Sequence, residues 1–288
     1  MSRARATLLG FGAILLWSLL AMLTVASTPV PPFQLSTMAF AVGGGIGLIW
    51  VIRSDKGFEV LHGVRWPVWL LGVGGIFGYH FFYFTALRLA PPAQAGLIAY
   101  LWPLLIVLLS GLLPGEHLKR QHIVGALVAF GGAALIVGTG ATGFSATNWL
   151  GYGAALVCAF IWSGYSVLSR RAEDAPTETV AVFCLAAAAL SLVAHLGLEK
   201  TVWPDSNRGW LAIGALGLGP VGLAFYIWDI GMKKGDIQFL GIASYAAPLL
   251  STLILVVTGM AAANWTLLLA AVLVTGGAGL AARAGSQT

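Results

Sequence analysis

The sequence predicts an all-α membrane protein with ten transmembrane helices, arranged as two inverted five-helix repeats. Three observations carry this prediction: an apolar composition, unbroken apolar stretches of about 20 residues, and motifs that recur at a fixed offset. Hydrophobic residues make up 59% of the 288 residues, charged residues make up 9%, and the mean hydropathy is +0.90. A soluble domain is about one quarter charged, so most of this apolar surface must face lipid.

The length of the apolar stretches favours helices over a β-barrel. A backbone that crosses a bilayer must satisfy its own hydrogen bonds, which only helices and closed barrels achieve. Barrel strands alternate polar and apolar residues in short segments, whereas these stretches are continuous over about 20 residues, the length of a spanning helix. The ten predicted spans, numbered 1 to 10, cover residues 6–26, 32–52, 66–88, 93–113, 122–140, 148–169, 177–197, 209–232, 237–258 and 264–283.

Two span boundaries depend on loop composition. Residues 237–282 carry no charge and are too many for one crossing, so this stretch is divided at GMAAANW (259–265). The segment GTGATGFSATN (138–148) is rich in Gly, Ser, Thr and Asn, which favour a loop. Both divisions are needed to reach ten spans.

The positions of Lys and Arg predict the orientation. Ten spans place both termini on one side, and cytoplasmic loops carry an excess of Lys and Arg. With cytoplasmic termini, twelve of the fifteen basic residues lie inside, and only Arg88, Lys200 and Arg208 lie outside. The net charge of +5 is therefore explained by topology, and no nucleic-acid partner is expected.

Motifs recur at a constant offset of 145 residues. AYLWPLL (99–105) corresponds to SYAAPLL (244–250), and 248 − 103 = 145 for the two prolines. An odd number of five spans per copy makes the second copy enter the membrane from the opposite face, as in many secondary transporters. We therefore expect repeats at 1–145 and 146–288 within one transmembrane domain. The same offset relates Trp17-Ser18 to Trp162-Ser163, Gly72 and Gly74 to Gly217 and Gly219, and Gly131-Gly132-Ala133 to Gly276-Gly277-Ala278.

The run WPLLIVLLSGLLPGEHLKRQHIVGALVAFGGAALIV (102–137) resembles the EamA-type half of the drug/metabolite transporter superfamily. In that pattern a Pro in the fourth span precedes a Gly-Glu turn and a Gly-rich fifth span. The resemblance covers the whole chain, once in each half, although Glu116 is replaced by Ala261 in the second half. The aromatic residues around Tyr79–Tyr83 and Trp102 look most like the bacterial YddG-type aromatic amino acid exporters.

The resemblance implies a location, an architecture and a function. It implies a bacterial inner-membrane exporter of amino acids, secondary or facilitative, that works by alternating access. Spans 3, 4, 8 and 9 and parts of 1, 2, 6 and 7 would enclose a central cavity, with spans 5 and 10 more peripheral. The expected partners are a small-molecule substrate and the lipid bilayer, and a homo-oligomer is left open.

Aromatic side chains of the third span are candidates for a binding site. GYHFFYFTA (78–86) places Tyr79 and Tyr83 on one helical face, with the strongly polar His80 beside them. A polar group at membrane depth is costly and usually faces a cavity or a partner. The residues alone fit two interpretations equally: a cavity wall, or an interface belt with a histidine bonded to a neighbouring helix. The resemblance favours the cavity.

The equivalent residues Pro103 and Pro248 are predicted hinges. A proline within a helix removes one backbone donor and clashes with the preceding turn, which frees carbonyl groups near residues 99 and 244. Freed backbone groups suit a cavity wall or a hinge, although proline kinks also shape bundles that bind nothing. The predicted substrate-binding residues are Tyr79, His80, Tyr83, Tyr100, Trp102, Trp162, Ser244 and Tyr245.

Two carboxylates receive their own predictions. Asp229 is the one carboxylate away from the ends of the predicted spans, and it lies one helical turn before Lys233. A local ion pair is therefore predicted, with coupling of transport to protons as the alternative. Glu116, in the loop after span 4, is predicted to cap a helix or to pair with Lys119.

Other functions lack the groups that they require. The chain has no HExxH motif and no pair of carboxylates within the spans, so we expect neither an enzyme nor a cofactor. Cys158 and Cys184 lie inside apolar runs, which predicts neither a metal site nor a disulfide. No Lys or Arg lies mid-span, which argues against phosphorylated substrates. The alternatives kept are a broad-specificity exporter of drugs or other small metabolites and, as a different class, an intramembrane enzyme.

Overall fold

A computed structural model describes residues 1–138, 141, 143–259, 262 and 264–285. All regular structure within them is helical, and ten helical segments are long and apolar enough to cross a membrane. The predicted all-α membrane fold with ten spans is therefore confirmed. Spans 1 to 10 are Arg3–Ala26, Pro32–Arg53, Trp66–Leu89, Pro92–Ser110, Arg120–Val137, Ala146–Ala172, Thr179–Leu198, Asn207–Lys234, Ile237–Val257 and Trp265–Ala284.

The predicted divisions of the long apolar stretches agree with the helix ends. Helix 9 ends at Val257 and helix 10 begins at Trp265, as the split at 259–265 predicted, although residues 260, 261 and 263 lie outside the described part. Span 5 ends at Val137, and residues 139, 140 and 142 of the following predicted loop are likewise outside it. Gly259 has a φ of +73°, a left-handed conformation that glycine adopts without steric cost.

Prolines and polar caps explain where several spans begin. Pro32 and Pro92 occupy the first helical positions of spans 2 and 4, where a missing N–H leaves no intrahelical hydrogen bond unmade. The side chain of Asp236 accepts a hydrogen bond from the backbone N–H of Phe239 at 2.9 Å and so caps span 9. Ser206 caps span 8 in the same way through Gly209.

Four spans are interrupted, and two of the interruptions lie at the predicted hinges. Span 4 breaks between Ala99 and Trp102, and span 9 breaks between Ala243 and Ala246. Each break lies about one turn before Pro103 or Pro248, where the proline ring clashes with the helical path. The other two interruptions separate Trp17 from Leu20 in span 1 and place a π-turn at Gly219–Leu223 in span 8.

The spans pack in pairs that obey the repeat relationship. Span 3 packs on span 6, and its equivalent pair is span 8 on span 1. Span 2 also packs on span 7, span 4 on span 9, and span 5 on span 10. In each of these three pairs, the two spans occupy equivalent positions in the two repeats. This is the contact pattern that two inverted copies related by a pseudo-two-fold axis produce, and it supports the predicted inverted repeat.

Close backbone contacts show the same symmetry. A Cβ added to Gly125 of span 5 would lie 2.6 Å from the carbonyl oxygen of Gly277 in span 10. The equivalent contact, shifted by 145 residues, is that of Gly132 with Ala270, where the added Cβ would lie 2.9 Å from the carbonyl oxygen. Small residues thus let the backbones of spans 5 and 10 approach closely, as is common between membrane helices.

The ion pairs confirm one prediction and correct another. Asp229 Oδ2 lies 2.9 Å from Lys233 Nζ, which confirms the predicted local pair, and both side chains are buried. Glu116 does not pair with Lys119. It lies 3.5 Å from Arg3 and 3.4 Å from Arg170, because the loop after span 4 folds towards spans 1 and 6. Lys119 instead donates to the carbonyl oxygen of Ala284 at 2.7 Å.

Candidate functional site

Four tryptophans from four different spans meet in the middle of the bundle. Trp17 of span 1 lies 4.9 Å from Trp228 of span 8 and 5.7 Å from Trp162 of span 6, measured between ring centroids. Trp102 of span 4 lies 6.0–6.3 Å from the other three rings. These separations are typical of favourable aromatic pairs, and we call this group the tryptophan cluster.

Two pairs of repeat-equivalent residues contact each other at this level. Trp17 is equivalent to Trp162, and His80 is equivalent to Phe225, whose ring centroid lies 6.2 Å away. Residues related by a two-fold axis can touch only where both lie beside that axis. The tryptophan cluster therefore lies at the interface between the two repeats, which is where inverted-repeat transporters place their substrate.

The structure brings five of the eight predicted site residues together. Tyr79 stacks on Tyr83, with the rings 5.9 Å apart and nearly parallel, and also contacts Trp162 at 5.4 Å. Trp102 belongs to the tryptophan cluster, and His80 lies against Tyr79 at 5.2 Å. The face that Tyr79 and Tyr83 share thus points at the same centre as the tryptophans.

His80 has an aromatic environment rather than a polar one. Its Nδ1 donates to the carbonyl oxygen of Ile76 at 2.8 Å, one turn back in its own helix. The ring lies 5.0 Å from Phe40 of span 2. The interpretation of a histidine bonded to a neighbouring helix is therefore not what the structure shows. With Nδ1 as the donor, Nε2 is left without a hydrogen-bond partner among the described residues.

Three tyrosine hydroxyls also lack a protein partner. Tyr79, Tyr83 and Tyr100 are partly exposed, and among the described residues none of their hydroxyls makes a hydrogen bond. A phenolic hydroxyl can both donate and accept. The hydroxyls of Tyr79 and Tyr83, together with His80, are the polar atoms that the aromatic site offers to a ligand.

Tyr245 and Ser244 lie in a different part of the molecule. Tyr245 is fully buried, and its hydroxyl accepts a hydrogen bond at 3.0 Å from the backbone N–H of Leu104, beside the Pro103 kink. Ser244 is also fully buried and donates to the carbonyl oxygen of Leu240 at 2.7 Å. Both hydroxyls thus form hydrogen bonds within the protein, at the interruptions of spans 4 and 9. Tyr100 packs with Tyr245 in the apolar cluster between spans 4, 5, 9 and 10.

Three central rings were not among the predicted site residues. Trp17, Phe225 and Trp228 all belong to the core around Trp162. The repeat offset identifies all three, because Trp17 is equivalent to Trp162, Phe225 to His80 and Trp228 to Tyr83. Applying the offset to each candidate residue, and not only to the motifs, would have completed the site.

The two ends of the site differ in how the central rings contact neighbouring spans. At the end that carries both chain termini, which we call the termini side, Trp228 donates to Ser166 Oγ at 3.1 Å and joins span 8 to span 6. The equivalent positions near the opposite end, the far side, are Tyr83 and Ala21. No hydrogen bond or ring contact joins span 3 to span 1 among the described residues. The contact that Trp228 makes with Ser166 on the termini side thus has no equivalent on the far side among the described residues.

The described walls of this site are aromatic and carry no charged side chain. The described residues contain no group of three His, Cys, Asp or Glu side chains that could hold a metal ion. The central rings carry no carboxylate and no Lys or Arg. Asp229, one residue beyond Trp228, is held by Lys233 and by the Thr177 hydroxyl at 2.9 Å. An uncharged, aromatic-walled site with a few hydroxyls suits a flat amphipathic molecule.

A family model described as the EamA-like transporter family matches the chain twice, over residues 4–138 and 149–283. The chain belongs to the EamA-like transporter family. The family resemblance predicted from the sequence is thereby confirmed, and with it a multi-pass protein of the membrane. The two matched stretches begin 149 − 4 = 145 residues apart, which is the offset of the internal motifs and further supports the duplication. The domain boundary at residue 145 stays a prediction.

Three similar proteins are named as exporters of aromatic amino acids. The chain is 56% identical over 283 residues to a protein of Ancylobacter novellus named aromatic amino acid exporter YddG, with 98% of each chain covered. Proteins of the same name from Salmonella typhimurium and Escherichia coli are 26% and 24% identical, over 88% and 96% of each chain. A solved crystal structure that is 55% identical superposes with a TM-score of 0.92, covering 97% of this chain and 98% of the other.

Proposed function

We propose that this protein exports aromatic and other uncharged amino acids across the bacterial inner membrane by alternating access. The observation that carries the proposal is the tryptophan cluster at the interface of the two repeats, next to unpaired tyrosine hydroxyls. The similarity to exporters named for aromatic amino acids supports the same substrate class. Transport is secondary or facilitative, and both termini are cytoplasmic, so the termini side faces the cytoplasm.

The rings and the hydroxyls have separate roles in this proposal. Trp102, Trp162 and the stacked Tyr79 and Tyr83 bind the substrate side chain through dispersion and edge-to-face contacts. The hydroxyls of Tyr79 and Tyr83, which have no partner among the described residues, and the Nε2 atom of His80 orient the amino acid carboxylate and ammonium groups. Trp17, Phe225 and Trp228 complete the wall. Because no charged side chain is present to neutralise a substrate charge, zwitterions without net charge are favoured over Lys or Glu.

Ser244 and Tyr245 have a supporting role in this account. They stabilise the interruption of spans 4 and 9, where Pro103 and Pro248 serve as hinges. The hydrogen bond from Leu104 to Tyr245 links the kink of one repeat to the equivalent kink of the other. A change of angle at one hinge is therefore transmitted directly to its partner.

Alternating access follows from the pseudo-symmetry and the unequal ends. Two inverted copies of similar sequence can adopt each other's conformation, which would open the termini side and close the far side. In the second state, Tyr83 would approach span 1 as Trp228 now contacts span 6. The substrate site, which lies beside the axis, would then be exposed to the cytoplasm.

Counterflow in liposomes tests the substrate class. Purified protein is reconstituted with unlabelled amino acid inside, and uptake of labelled phenylalanine, tryptophan, threonine, lysine and glutamate is measured outside. We expect uptake of phenylalanine and tryptophan, uptake of threonine at a lower rate, and none of lysine or glutamate. Absence of all amino acid uptake by folded protein would contradict the proposal, and uptake of unrelated uncharged metabolites would then favour a broad-specificity exporter.

A further inference from the structure

Four charged side chains form a network on the termini side that connects the two repeats. Arg3 Nη2 lies 3.5 Å from Glu116 and 3.4 Å from Asp236, and Arg170 Nη2 lies 3.4 Å from Glu116. Arg170 Nη2 also donates to the carbonyl oxygen of Gly235 at 2.7 Å. Arg3 and Glu116 belong to the first repeat, whereas Arg170 and Asp236 belong to the second.

The network ties together the parts that must separate when this side opens. It joins the start of span 1, the loop after span 4, the end of span 6 and the start of span 9. Two of its three ion pairs, Arg3 with Asp236 and Arg170 with Glu116, cross from one repeat to the other. The side chains of Glu116 and Arg170 are only 12% and 18% exposed, so solvent screens this pair less than a surface pair.

The repeat has no second copy of this network. Shifting the four residues by 145 in the sequence gives four uncharged residues: Asn148, Ala261, Val25 and Pro91. When the repeats exchange conformations, the network must break on the termini side and nothing of its kind can form on the far side. Its energy is therefore present in one state only, and a contact of that kind shifts the equilibrium between two states.

The far side has an ion pair that also joins the two repeats. Arg88 Nη2 donates to Glu199 Oε1 at 2.7 Å, at the end of span 3. The position equivalent to Arg88 is Lys233, at the end of span 8, which pairs with Asp229. Lys233 and Asp229 both lie in span 8, whereas Arg88 belongs to the first repeat and Glu199 to the second. Among the described residues, one inter-repeat ion pair on the far side thus stands against two in the four-residue network.

We propose that the Arg3–Glu116–Arg170–Asp236 network is a one-sided latch that holds the site closed to the cytoplasm and sets the resting state as open to the far side. The latch rests on the alternating access proposed above. Opening to the cytoplasm requires the two inter-repeat ion pairs to break. The free energy for this step comes from substrate binding or thermal motion. Without the latch, the near-symmetric halves would populate the two states more evenly.

Spin-label distances at repeat-equivalent positions test the latch. One pair of labels replaces Leu112 and Lys234 on the termini side, and the other replaces their equivalents Val257 and Leu89 on the far side. All four positions are exposed. The labels are introduced into a chain in which the two buried cysteines, Cys158 and Cys184, are replaced by alanine, and distances are measured in lipid nanodiscs with and without phenylalanine.

The variant Glu116→Gln removes the shared carboxylate and keeps its shape. We expect the ratio of termini-side-open to termini-side-closed protein to rise about three- to tenfold, with the far-side distance shortening in the same molecules. Glu59→Gln is the matched control, because Glu59 is exposed on the same side and makes no ion pair among the described residues. Its distances should match those of the parent protein.

A second variant tests the latch independently, in case Glu116→Gln does not fold. Asp236→Asn removes the pair with Arg3, while an asparagine at this position can still cap span 9 through its side-chain oxygen. If Glu116→Gln and Asp236→Asn both insert correctly and leave the two distance distributions as in the parent, the latch is refuted. If the parent itself never shows opposite changes of the two distances with phenylalanine, alternating access and the proposed function fail with it.

Discussion

Trp17 and Trp162 occupy equivalent positions in the two repeats, and their rings contact each other at 5.7 Å with the planes inclined at 73°. Because equivalent residues meet only beside the pseudo-two-fold axis, this contact marks where one repeat faces the other. The proposed substrate site is built around it. Any rotation of one repeat against the other must therefore change the shape of the site, which links binding to opening.

The hydroxyl of Tyr83 provides a test of substrate orientation. Tyr83→Phe removes a hydroxyl that has no protein partner, so the stability of the protein should be unchanged. If the hydroxyl binds the amino acid carboxylate, KM for phenylalanine counterflow should rise about ten- to 150-fold, the value of one hydrogen bond to a charged group. Initial rates over a range of phenylalanine concentrations measure this change.

Tyr245→Phe is the comparison for that experiment. Here the lost hydroxyl leaves the backbone N–H of Leu104 without a partner, so the free energy of unfolding should fall by about 1–3 kcal/mol. The thermal unfolding midpoint of Tyr245→Phe should fall, whereas that of Tyr83→Phe should not. Equal effects of the two variants on KM and on stability would argue against distinct roles for the two tyrosines.

Adjacent glycines of span 10 test the packing against span 5. A Cβ at position 277 would lie 2.8 Å from the Cβ of Ala129, whereas a Cβ at position 276 would meet nothing within 4 Å. Gly277→Ala should therefore destabilise the protein by about 1–3 kcal/mol through overpacking. Gly276→Ala should be neutral or slightly stabilising, since alanine favours a helix over glycine.

Thermal unfolding in detergent measures this difference. We expect the thermal unfolding midpoint of Gly277→Ala to lie below that of Gly276→Ala. Equal midpoints for the two variants would mean that spans 5 and 10 do not approach as closely as the structure describes.

The buried pair of Asp229 and Lys233 should be structural. Asp229→Asn leaves the ammonium group of Lys233 without its counter-charge at a buried position, which costs about 3–5 kcal/mol. The yield of folded protein should fall sharply. Replacing both residues, Asp229→Asn with Lys233→Met, should restore much of it, because the unpaired charge is gone.

Transport by the double variant separates the structural role from proton coupling. With a structural role, the recovered double variant should still exchange phenylalanine at a rate close to that of the parent. Loss of exchange in a double variant with normal stability would instead favour the alternative that Asp229 couples transport to protons.

Composition and the internal repeat predict most of the fold, for physical reasons. Lipid exposure forces long apolar helices, so the span count can be read from the chain, and the constant offset identifies equivalent helices. The proline breaks near Ala99 and Ser244 follow from local stereochemistry. Side-chain partners depend instead on how distant segments pack. The contact of Glu116 with Arg170 could not be predicted, since the two residues are brought together only by the folding of the loop after span 4.

The candidate site, like the fold, could be predicted from the sequence only in part. The aromatic residues of span 3 share a face that the helical period predicts, and the structure places them at the centre. Tyr100 and Tyr245 occupy equivalent positions and yet differ, because only Tyr245 is hydrogen-bonded, to the backbone at Leu104. A symmetric sequence motif cannot reveal such a difference.

Counterflow of labelled phenylalanine with Trp102→Ala tests the central claim most directly. Trp265→Ala is the matched control, because Trp265 is 84% exposed at the start of span 10 and lies far along the chain from the tryptophan cluster. The account predicts rapid exchange by the parent protein and by Trp265→Ala, and exchange reduced at least about tenfold in a folded Trp102→Ala. Phenylalanine exchange that is the same in all three proteins would contradict an aromatic site at the repeat interface.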